Sequence, residues 1–81
     1  MAKSIKVIYF ALFREKVGKS SELIETDAST AIELFKELEG KHGFNQPFGY
    51  CKVAINDELA EWESDIQSGD NVLFFPPVSG G

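Results

Sequence analysis

The sequence predicts an α+β domain in which a mixed β-sheet carries one main helix on one face. Two observations lead to this class. Five short segments are rich in β-branched and aromatic residues, and one longer segment repeats its apolar residues at helical spacing. The 81 residues, 43% of them hydrophobic, suit a single core, so we expect one domain.

The first part of the chain predicts a hairpin. Residues 4–12 (SIKVIYFAL) form the first predicted strand, because Ile, Val, Tyr and Phe dominate this run. The following FREKV predicts one turn of helix, which ends at Gly18 because glycine accepts a positive φ angle. Residues 21–25 (SELIE) then return as the second strand.

The main helix is predicted to begin at Thr30. Thr30 and Glu33 fit a capping box, in which the Thr hydroxyl accepts a bond from a backbone N–H and the Glu carboxylate reaches back to the cap. Gly40 and Gly43 offer stop signals. The residues that share one face at helical spacing, and that we expect to pack on the sheet, are Ala31, Leu34, Phe35 and Leu38.

The second part of the chain predicts a loop and three strands. Residues 44–50 (FNQPFGY) predict a loop whose aromatic rings pack against the body. Residues 52–55 form a strand, an Asn-Asp turn leads into the short ELAEW segment, and a turn at 68–71 precedes the last strand at 72–75. Two strands, a helix and three strands is the order of the β-grasp, or ubiquitin-like, fold, whose first and last strands lie parallel at the sheet centre.

Alternation along the strands places apolar side chains on both faces of the sheet. The positions expected to face the helix are Ile5, Val7, Tyr9, Val72 and Phe74. The opposite face is expected to carry Ile8, Phe10, Leu73 and Phe75, with Leu59 from the short neighbouring strand. Monomers rarely expose so much apolar surface, so we interpret the second set as a protein-binding surface. The alternative is a thicker core in which residues 44–50 cover this face.

Charge and composition exclude several function classes. Thirteen acidic residues against eight basic ones give a net charge of −5, with no Lys/Arg cluster. We therefore expect no nucleic-acid or membrane partner and favour a basic protein surface. The single cysteine cannot form an internal disulfide, and no segment resembles a secretory signal, so we expect a cytoplasmic protein.

No group of side chains predicts a catalytic or metal site. Cys51 has no flanking His or second Cys, so we expect a small core residue. His42 lies near the helix end, where a cation suits the carbonyl dipole, and it has no companion ligands at metal spacing. Asp57 and Glu58 belong to a turn, and Trp62 is expected to pack over an edge of the body.

The last residues are the main candidate for chemistry. Pro76 and Pro77 favour an extended backbone and cannot donate to a sheet, so we expect a folded domain over residues 1–77 and a flexible tail over 78–81. This tail reaches about 13 Å when fully extended. The alternative is a frayed end without a role.

The diglycine at Gly80 and Gly81 gives the tail a shape that other residues lack. Because neither residue has a Cβ atom, both fit a channel that excludes larger residues. The α-carboxylate of Gly81 is ionised at neutral pH and is expected to act as a nucleophile on an activated phosphate.

Three segments together resemble one known family: FFPPVSGG at the end, IKVIYFALFREKVG near the start, and the turn SGDNV. They are similar to the small, sulfur-carrying subunit of molybdopterin synthase, and the likeness covers nearly the whole chain. FFPPV followed by a small hydroxyl residue and GG is specific to that family, whereas GG alone occurs in ubiquitin-like carriers generally. Ser79 stands where some members have threonine, which keeps a small polar residue.

The resemblance implies a two-stage chemistry at Gly81. An adenylyltransferase related to ubiquitin-activating enzymes would use ATP to adenylate the Gly81 carboxylate, and sulfur would displace AMP to leave a terminal thiocarboxylate. The sulfur would then pass to the molybdopterin precursor, cyclic pyranopterin monophosphate, bound in the large catalytic subunit into which residues 78–81 insert. The chain itself would bind no cofactor and would act as a co-substrate.

The resemblance also implies the assembly. Two small and two large subunits would form a heterotetramer, and the large subunit and the adenylyltransferase would bind the same surface. Arg14 matches a family position that pairs with an acidic partner residue. Together with the apolar face predicted from strand alternation, the residues expected in partner contacts are Ile8, Phe10, Arg14, Leu59, Leu73, Phe75, Pro76, Pro77, Val78 and Ser79.

Other functions of a diglycine chain remain open. The first is a ubiquitin-like modifier that is conjugated to lysines through Gly81. The second is a plain ubiquitin-like interaction module, which would not need Gly81. A sulfur carrier of thiamine synthesis also ends in diglycine, but such chains are generally shorter and lack the FFPPV segment.

Overall fold

A computed structural model describes residues 2–10, 12–43 and 51–75 of the chain. In chain order the elements are β1 (Lys3–Tyr9), α1 (Leu12–Val17), β2 (Ser21–Thr26), α2 (Ala31–His42), β3 (Lys52–Ile55), β4 (Glu58–Ala60) and β5 (Asn71–Phe75). This succession confirms the predicted hairpin, main helix and three further strands. Residues 44–50 lie outside the described residues, so their predicted packing stays a prediction.

The five strands form one sheet in the order β2-β1-β5-β3-β4. β1 and β5 run parallel, with Val7 opposite Val72, and all other neighbours are antiparallel. This topology confirms the α+β, β-grasp prediction. The last strand therefore lies in the middle of the sheet and joins the two hairpins.

The core fills the space between the sheet and α2. All four helix residues predicted to pack on the sheet are buried, as are the five strand residues predicted to face the helix. Trp62 lies with its ring centroid 5.2 Å from that of Phe35 and stacks on Phe74 at 5.9 Å. The expected packing of Trp62 over the body is thus confirmed, and its ring extends the aromatic part of the core.

β1 is shorter than predicted. The predicted strand over residues 4–12 was wrong at its end, because β1 stops at Tyr9 and α1 begins at Leu12. The backbone N–H of Phe13 donates to the carbonyl of Phe10 at 3.1 Å, and the Phe13 side chain is fully buried. Burial of Phe13 in the core requires the chain to turn here, and this outweighs the strand propensity of the local residues. α1 ends as predicted before Gly18, whose φ is 86°.

The start of α2 shows a modified capping box. Thr30 is the N-cap in extended conformation, and its hydroxyl accepts a bond from the backbone N–H of Glu33 at 3.4 Å. The Glu33 carboxylate, however, accepts from the N–H of Ser29 at 3.0 Å and not from that of the cap. Thr30 instead forms an isolated antiparallel bridge with Asp65. The predicted return bond was therefore wrong by one residue.

Only one of the two predicted stop signals ends the helix. Gly43 is the C-cap with φ 65°, and its N–H donates to the carbonyl of Glu39 at 2.7 Å. Gly40 lies inside α2. The hairpin between β3 and β4 turns as predicted, with Asn56 and Asp57 at φ 53° and 71°, the two positive angles of a type I′ turn.

Candidate functional site

The face of the sheet opposite α2 carries a row of apolar residues across four strands. Strand pairing places Ile8 opposite Leu73, Leu73 opposite Ala54, and Ala54 opposite Leu59. Residues directly opposite each other point to the same face. Ala54 lies in the middle of this row, and its small side chain is buried. It is not a member of the core cluster between the sheet and α2.

Two aromatic rings form a second row beside the first. The centroids of the Phe10 and Phe75 rings lie 6.2 Å apart in a T-shaped contact. Phe10 is 54% exposed and lies just beyond β1, so the correction to the end of β1 does not remove it from this face. We name the outer-face patch by its five large apolar residues: Ile8, Phe10, Leu59, Leu73 and Phe75.

The outer-face patch combines exposed and partly buried residues. Leu59 is 74% exposed, whereas Ile8, Leu73 and Phe75 are partly buried by their neighbours. Such a contiguous apolar area is typical of protein-binding surfaces. The structure thus places the five predicted surface residues on one face, while their role in partner binding stays a prediction.

Cationic residues border the outer-face patch. Lys6 lies on the same face of β1 as Ile8, and Lys52 lies opposite Phe75; both lysines are exposed. Arg14 lies on α1 rather than on the sheet, and its side chain is exposed. Acidic residues flank the patch as well, since Glu58 and Glu61 lie beside Leu59 and are exposed. The border is therefore mixed in charge, and the expected basic partner surface stays a prediction.

An open groove of about 550 Å³ continues from Leu59 along β4. Its lining residues are Lys52, Ile55, Asn56, Glu58, Leu59, Ala60, Glu61, Trp62 and Ser64. These side chains include no cysteine or histidine, and the only group that both the groove and the outer-face patch share is Leu59. The groove therefore continues the surface of the outer-face patch around β4.

A polar cluster that sequence reasoning missed lies around the carboxylate of Glu22. The Tyr9 hydroxyl donates to Oε2 of Glu22 at 2.5 Å, and Nε2 of His42 lies 2.9 Å from the same oxygen. The ammonium groups of Lys19 and Lys41 lie 3.8 and 3.9 Å from Oε1. Because these residues come from separate elements, no local pattern marks the cluster; it contains His42, for which we expected only a helix-dipole role.

The cluster shifts the pKa values of its acidic members. Burial raises the pKa of Tyr9, and the hydrogen bond to Glu22 adds to this effect. Burial alone would raise the pKa of Glu22, but the bonds from Tyr9 and His42 and the charge of Lys41 outweigh it, so this pKa is lowered. Glu22 is thus an ionised structural group and not a proton donor at neutral pH.

Cys51 is buried directly before β3, which confirms the expected core residue. Burial, followed by the charge of Glu39, raises the pKa of its thiol, so the nucleophilic thiolate is disfavoured. Within the described ranges, no three His, Cys, Asp or Glu side chains are grouped to hold a metal ion. In the same ranges, neither helix is long and apolar enough to cross a membrane.

The predicted reactive end of the chain lies outside the described residues. Phe75 is the last described residue, and those beyond it with predicted roles are Pro76, Pro77, Val78, Ser79, Gly80 and Gly81. The boundary at residue 77 and the tail over 78–81 therefore stay predictions. The structure establishes that β5 carries Leu73 and Phe75 of the outer-face patch immediately before these residues.

Relatives of this chain share its length. The sequence matches the ThiS family over residues 7–81. A molybdopterin synthase sulfur carrier subunit of Haemophilus influenzae is 36% identical over 80 residues, which cover 95% of this chain and 99% of the relative. A protein of the same name from Dictyostelium discoideum is 35% identical and covers 100% of both chains.

Two solved structures that are similar to this fold belong to molybdopterin converting factors. A putative molybdopterin converting factor, subunit 1, from Pyrococcus furiosus is 31% identical with a TM-score of 0.78 and covers 94% of this chain and 99% of its own. A chain in the complex of subunits 1 and 2 of the molybdopterin-converting factor from Helicobacter pylori is 28% identical with a TM-score of 0.65, covering 96% and 99%.

SAMP1 of Haloferax volcanii, a small archaeal modifier protein, also has this fold. It is 26% identical with a TM-score of 0.78 and covers 96% of this chain and 99% of its own. The family match nevertheless spans most of the chain, and the relatives that exceed 30% identity over nearly its full length agree with one another. The chain therefore belongs to the ThiS family, among the molybdopterin synthase sulfur carrier subunits.

Proposed function

We propose that this chain is the sulfur-carrier subunit of a molybdopterin synthase and carries sulfur as a thiocarboxylate on Gly81. The observation that supports this most strongly is the full-length similarity to proteins named as that subunit. The outer-face patch adds support, because β5 carries Leu73 and Phe75 directly before residues 76–81. A partner bound to these two side chains would be well placed to receive the tail.

Sulfur loading proceeds in two steps on this proposal. A carboxylate oxygen of Gly81 attacks the α-phosphorus of ATP in the adenylating partner, which forms the acyl-adenylate and releases pyrophosphate. Sulfur at the level of hydrosulfide then attacks the acyl carbon, AMP leaves with the bonding electron pair, and loss of the S–H proton gives the thiocarboxylate. The chain contributes the acyl group and a backbone without side chains at Gly80 and Gly81; the partner binds and consumes the ATP.

Sulfur transfer takes place in the large subunit. Residues 78–81 insert into its active site, and the thiocarboxylate sulfur attacks a carbon of the bound pterin precursor. A C–S bond forms, and an oxygen substituent of that carbon leaves with the bonding electron pair. Water then cleaves the bond between this sulfur and the carbonyl carbon of Gly81, which restores the carboxylate for another cycle. Because the large subunit supplies the catalytic groups, this chain is one half of the enzyme.

The partners on this proposal are proteins that recognise the outer-face patch. The Helicobacter pylori complex of subunits 1 and 2 contains a chain similar to this one, which supports a large-subunit partner. Two copies of each subunit form the heterotetramer, and the adenylating enzyme is of the ubiquitin-activating type. The exposed Arg14 pairs with an acidic partner residue, and the complex works in the cytoplasm.

The test compares two changes at the last residue with a conservative control. Deletion of Gly81 and addition of an alanine after Gly81 leave the outer-face patch intact, so both variants should still bind the large subunit. Conversion of the precursor falls more than about 100-fold in both, because displacement of a reacting group by about 1 Å already has that effect. Ser79→Thr, which keeps a small hydroxyl residue, retains binding and conversion.

The measurements are isothermal titration with the large subunit and intact mass after loading. After loading, the intact masses of wild type and Ser79→Thr show one sulfur in place of one oxygen. In the conversion assay, the deletion variant does not deliver sulfur to the precursor. If the alanine-extended chain delivered sulfur at the wild-type rate, the carrier role of Gly81 would be wrong.

A protein modifier is the second candidate, and the similarity to SAMP1 favours it. In that case the acyl-adenylate of Gly81 is attacked by a lysine amine instead of sulfur, and the product is an isopeptide bond. Incubation with the adenylating enzyme, ATP and a cell extract separates the two functions. If isopeptide adducts form and no thiocarboxylate is found, the modifier function is supported and the carrier function is wrong. If a thiocarboxylate forms and no adducts are found, the modifier function is excluded.

A further inference from the structure

Among the described residues, no strand pairs with the outer side of β2 or of β4, and these two edges of the sheet differ in length. β4 at one edge has only three residues, whereas β2 at the other has six. Proteins usually protect long edge strands with charged residues, proline or bulges, since unpaired backbone groups bind other strands. The middle of β2 carries Leu23, whose side chain is 73% exposed, between the charged residues Glu22 and Glu25. β2 is therefore a long edge with an apolar centre.

Alternate residues of β2 direct their backbone N–H and C=O groups to the outer side of this edge strand, in the plane of the sheet. The N–H of Tyr9 donates to the carbonyl of Ser20 at 2.8 Å, which sets the phase of the antiparallel ladder between β1 and β2. Because bonded and non-bonded pairs alternate, Glu22 and Ile24 also direct their backbone groups to β1. The residues between them direct theirs to the free edge.

The hydrogen bonds between β1 and β5 independently show which β1 residues direct their backbone groups to β2. The N–H of Lys6 donates to the carbonyl of Asp70 at 3.1 Å, so Lys6 faces the β5 side of the sheet. Lys6 pairs with Leu23, and this pair is therefore non-bonded. It follows that Ser21, Leu23 and Glu25 present unpaired N–H and C=O groups along the edge of β2.

We propose that β2 is a self-association site at which two copies of this chain pair antiparallel, with Leu23 on the two-fold axis. In this register Leu23 lies opposite the second copy's Leu23, and Ser21 lies opposite the second copy's Glu25. Each of these pairs consists of residues whose backbone groups point outward, so each forms two N–H···O bonds. A shift of one residue would misalign these groups and move Leu23 off its partner.

The charges at the ends of the paired strands are complementary in this register. Lys19, with an ammonium-bearing side chain that is 60% exposed, lies opposite the second copy's Asp27 and diagonal to the second copy's Glu25. Cross-strand pairs of opposite charge stabilise a sheet, and no two like charges face each other directly across this junction. The two-fold axis repeats the contact, so each dimer contains it twice.

The dimer joins two five-stranded sheets into one sheet of ten strands. The two-fold axis runs perpendicular to the sheet, so both α2 helices lie on one side and both outer-face patches on the other. β1, which carries Ile8, lies directly beside β2, whereas Leu73, Phe75 and Leu59 lie on strands beyond β1. Self-association at β2 therefore leaves the part of the outer-face patch on β5 and β4 open to protein partners.

The test uses two exposed leucines on opposite edges as a matched pair. Leu23→Lys places two like charges on the two-fold axis, whereas Leu59→Lys places the same charge on β4, where the side chain is 74% exposed. Sedimentation velocity from about 10 μM to about 1 mM covers the range expected for a small interface. Wild type and Leu59→Lys approach twice 9.0 kDa, and Leu23→Lys shows a dissociation constant at least about tenfold higher.

A charge exchange tests the register itself. Lys19→Glu weakens the dimer, and Lys19→Glu combined with Glu25→Lys and Asp27→Lys restores it, while circular dichroism confirms that each variant is folded. The proposal is overturned if wild type stays at 9.0 kDa throughout the range, or if Leu59→Lys loses the dimer while Leu23→Lys retains it. These readouts do not depend on sulfur transfer, so they test self-association independently of the proposed function.

Discussion

The carboxylate of Glu22 joins three elements that lie apart in the sequence. Tyr9 and His42 are 13 and 20 residues away from it, yet both contact Oε2. Periodicity predicted that Tyr9 is buried, but it contains no information on which acceptor its hydroxyl meets. The partners of a buried polar group are set by the fold as a whole, which explains why sequence reasoning found the core and missed this cluster.

Glu22→Gln is expected to destabilise the protein by about 1–2 kcal/mol at pH 7, because the charge-assisted bonds become ordinary ones. The folded-state pKa of Glu22 is lowered from its ordinary 4.5, so the stabilisation is present above that value and is lost as the pH falls through the folded-state pKa. Urea unfolding at pH 7 and at about pH 3 measures both effects.

Glu25→Gln is the matched control for this change, since Glu25 is exposed on the same strand. It should alter the free energy of unfolding by less than about 0.5 kcal/mol. The role of Glu22 is contradicted if the two variants are equally stable at pH 7, or if the deficit of Glu22→Gln is unchanged at the lower pH.

The boundaries of elements were harder to predict than the elements themselves. All five strands and both helices follow from local composition, yet the first strand was extended through Phe10 into the region of α1. Phe, Ala and Leu fit either element, and burial of Phe13 decides between them. Likewise, glycine alone does not tell whether a helix ends, since Gly40 lies inside α2 while Gly43 caps it.

The two glycines of α2 should respond in opposite directions to alanine. Gly40 is an exposed helical residue with open space around its Cα, so Gly40→Ala is expected to stabilise the protein by about 1 kcal/mol. Gly43 has a φ of 65°, so Gly43→Ala is expected to destabilise it by about 1–2 kcal/mol despite the open space. Thermal unfolding of both variants tests this, and shifts of equal sign would contradict the C-cap.

On the scale of the whole molecule, the proposed function requires one surface to serve two partners. The sequence predicted that surface from the alternation of Ile8, Leu73 and Phe75, since outward apolar residues are conspicuous in a small sheet. The parallel pairing of β1 with β5 could not be predicted in this way, because it joins the two ends of the described chain and no local pattern specifies it. That part of the fold came from the resemblance to a known order of elements.

Binding of the large subunit and of the adenylating enzyme should be mutually exclusive. Saturating large subunit is expected to suppress adenylation at least about tenfold, measured as pyrophosphate release, because both partners cover the outer-face patch. Leu73→Asp should weaken both complexes at least about tenfold by placing a charge in an apolar contact.

Asn71→Asp provides the control for this competition. It places the same charge on the same face of β5, two residues outside the outer-face patch, and Asn71 is exposed. Both complexes should therefore retain nearly wild-type affinity. Formation of a ternary complex of all three proteins would show that the partners use separate surfaces.

Because β5 is both the last described strand and the central one, a chain that ends early lacks the middle of its sheet. A polypeptide interrupted before residue 71 contains two separate hairpins with no hydrogen-bonded strand between them. It also lacks Val72 and Phe74 of the core and Leu73 and Phe75 of the outer face. Such a polypeptide retains Ile8 and Leu59 but lacks the strand that joins them into one face, so on the proposed function it should bind the partners poorly.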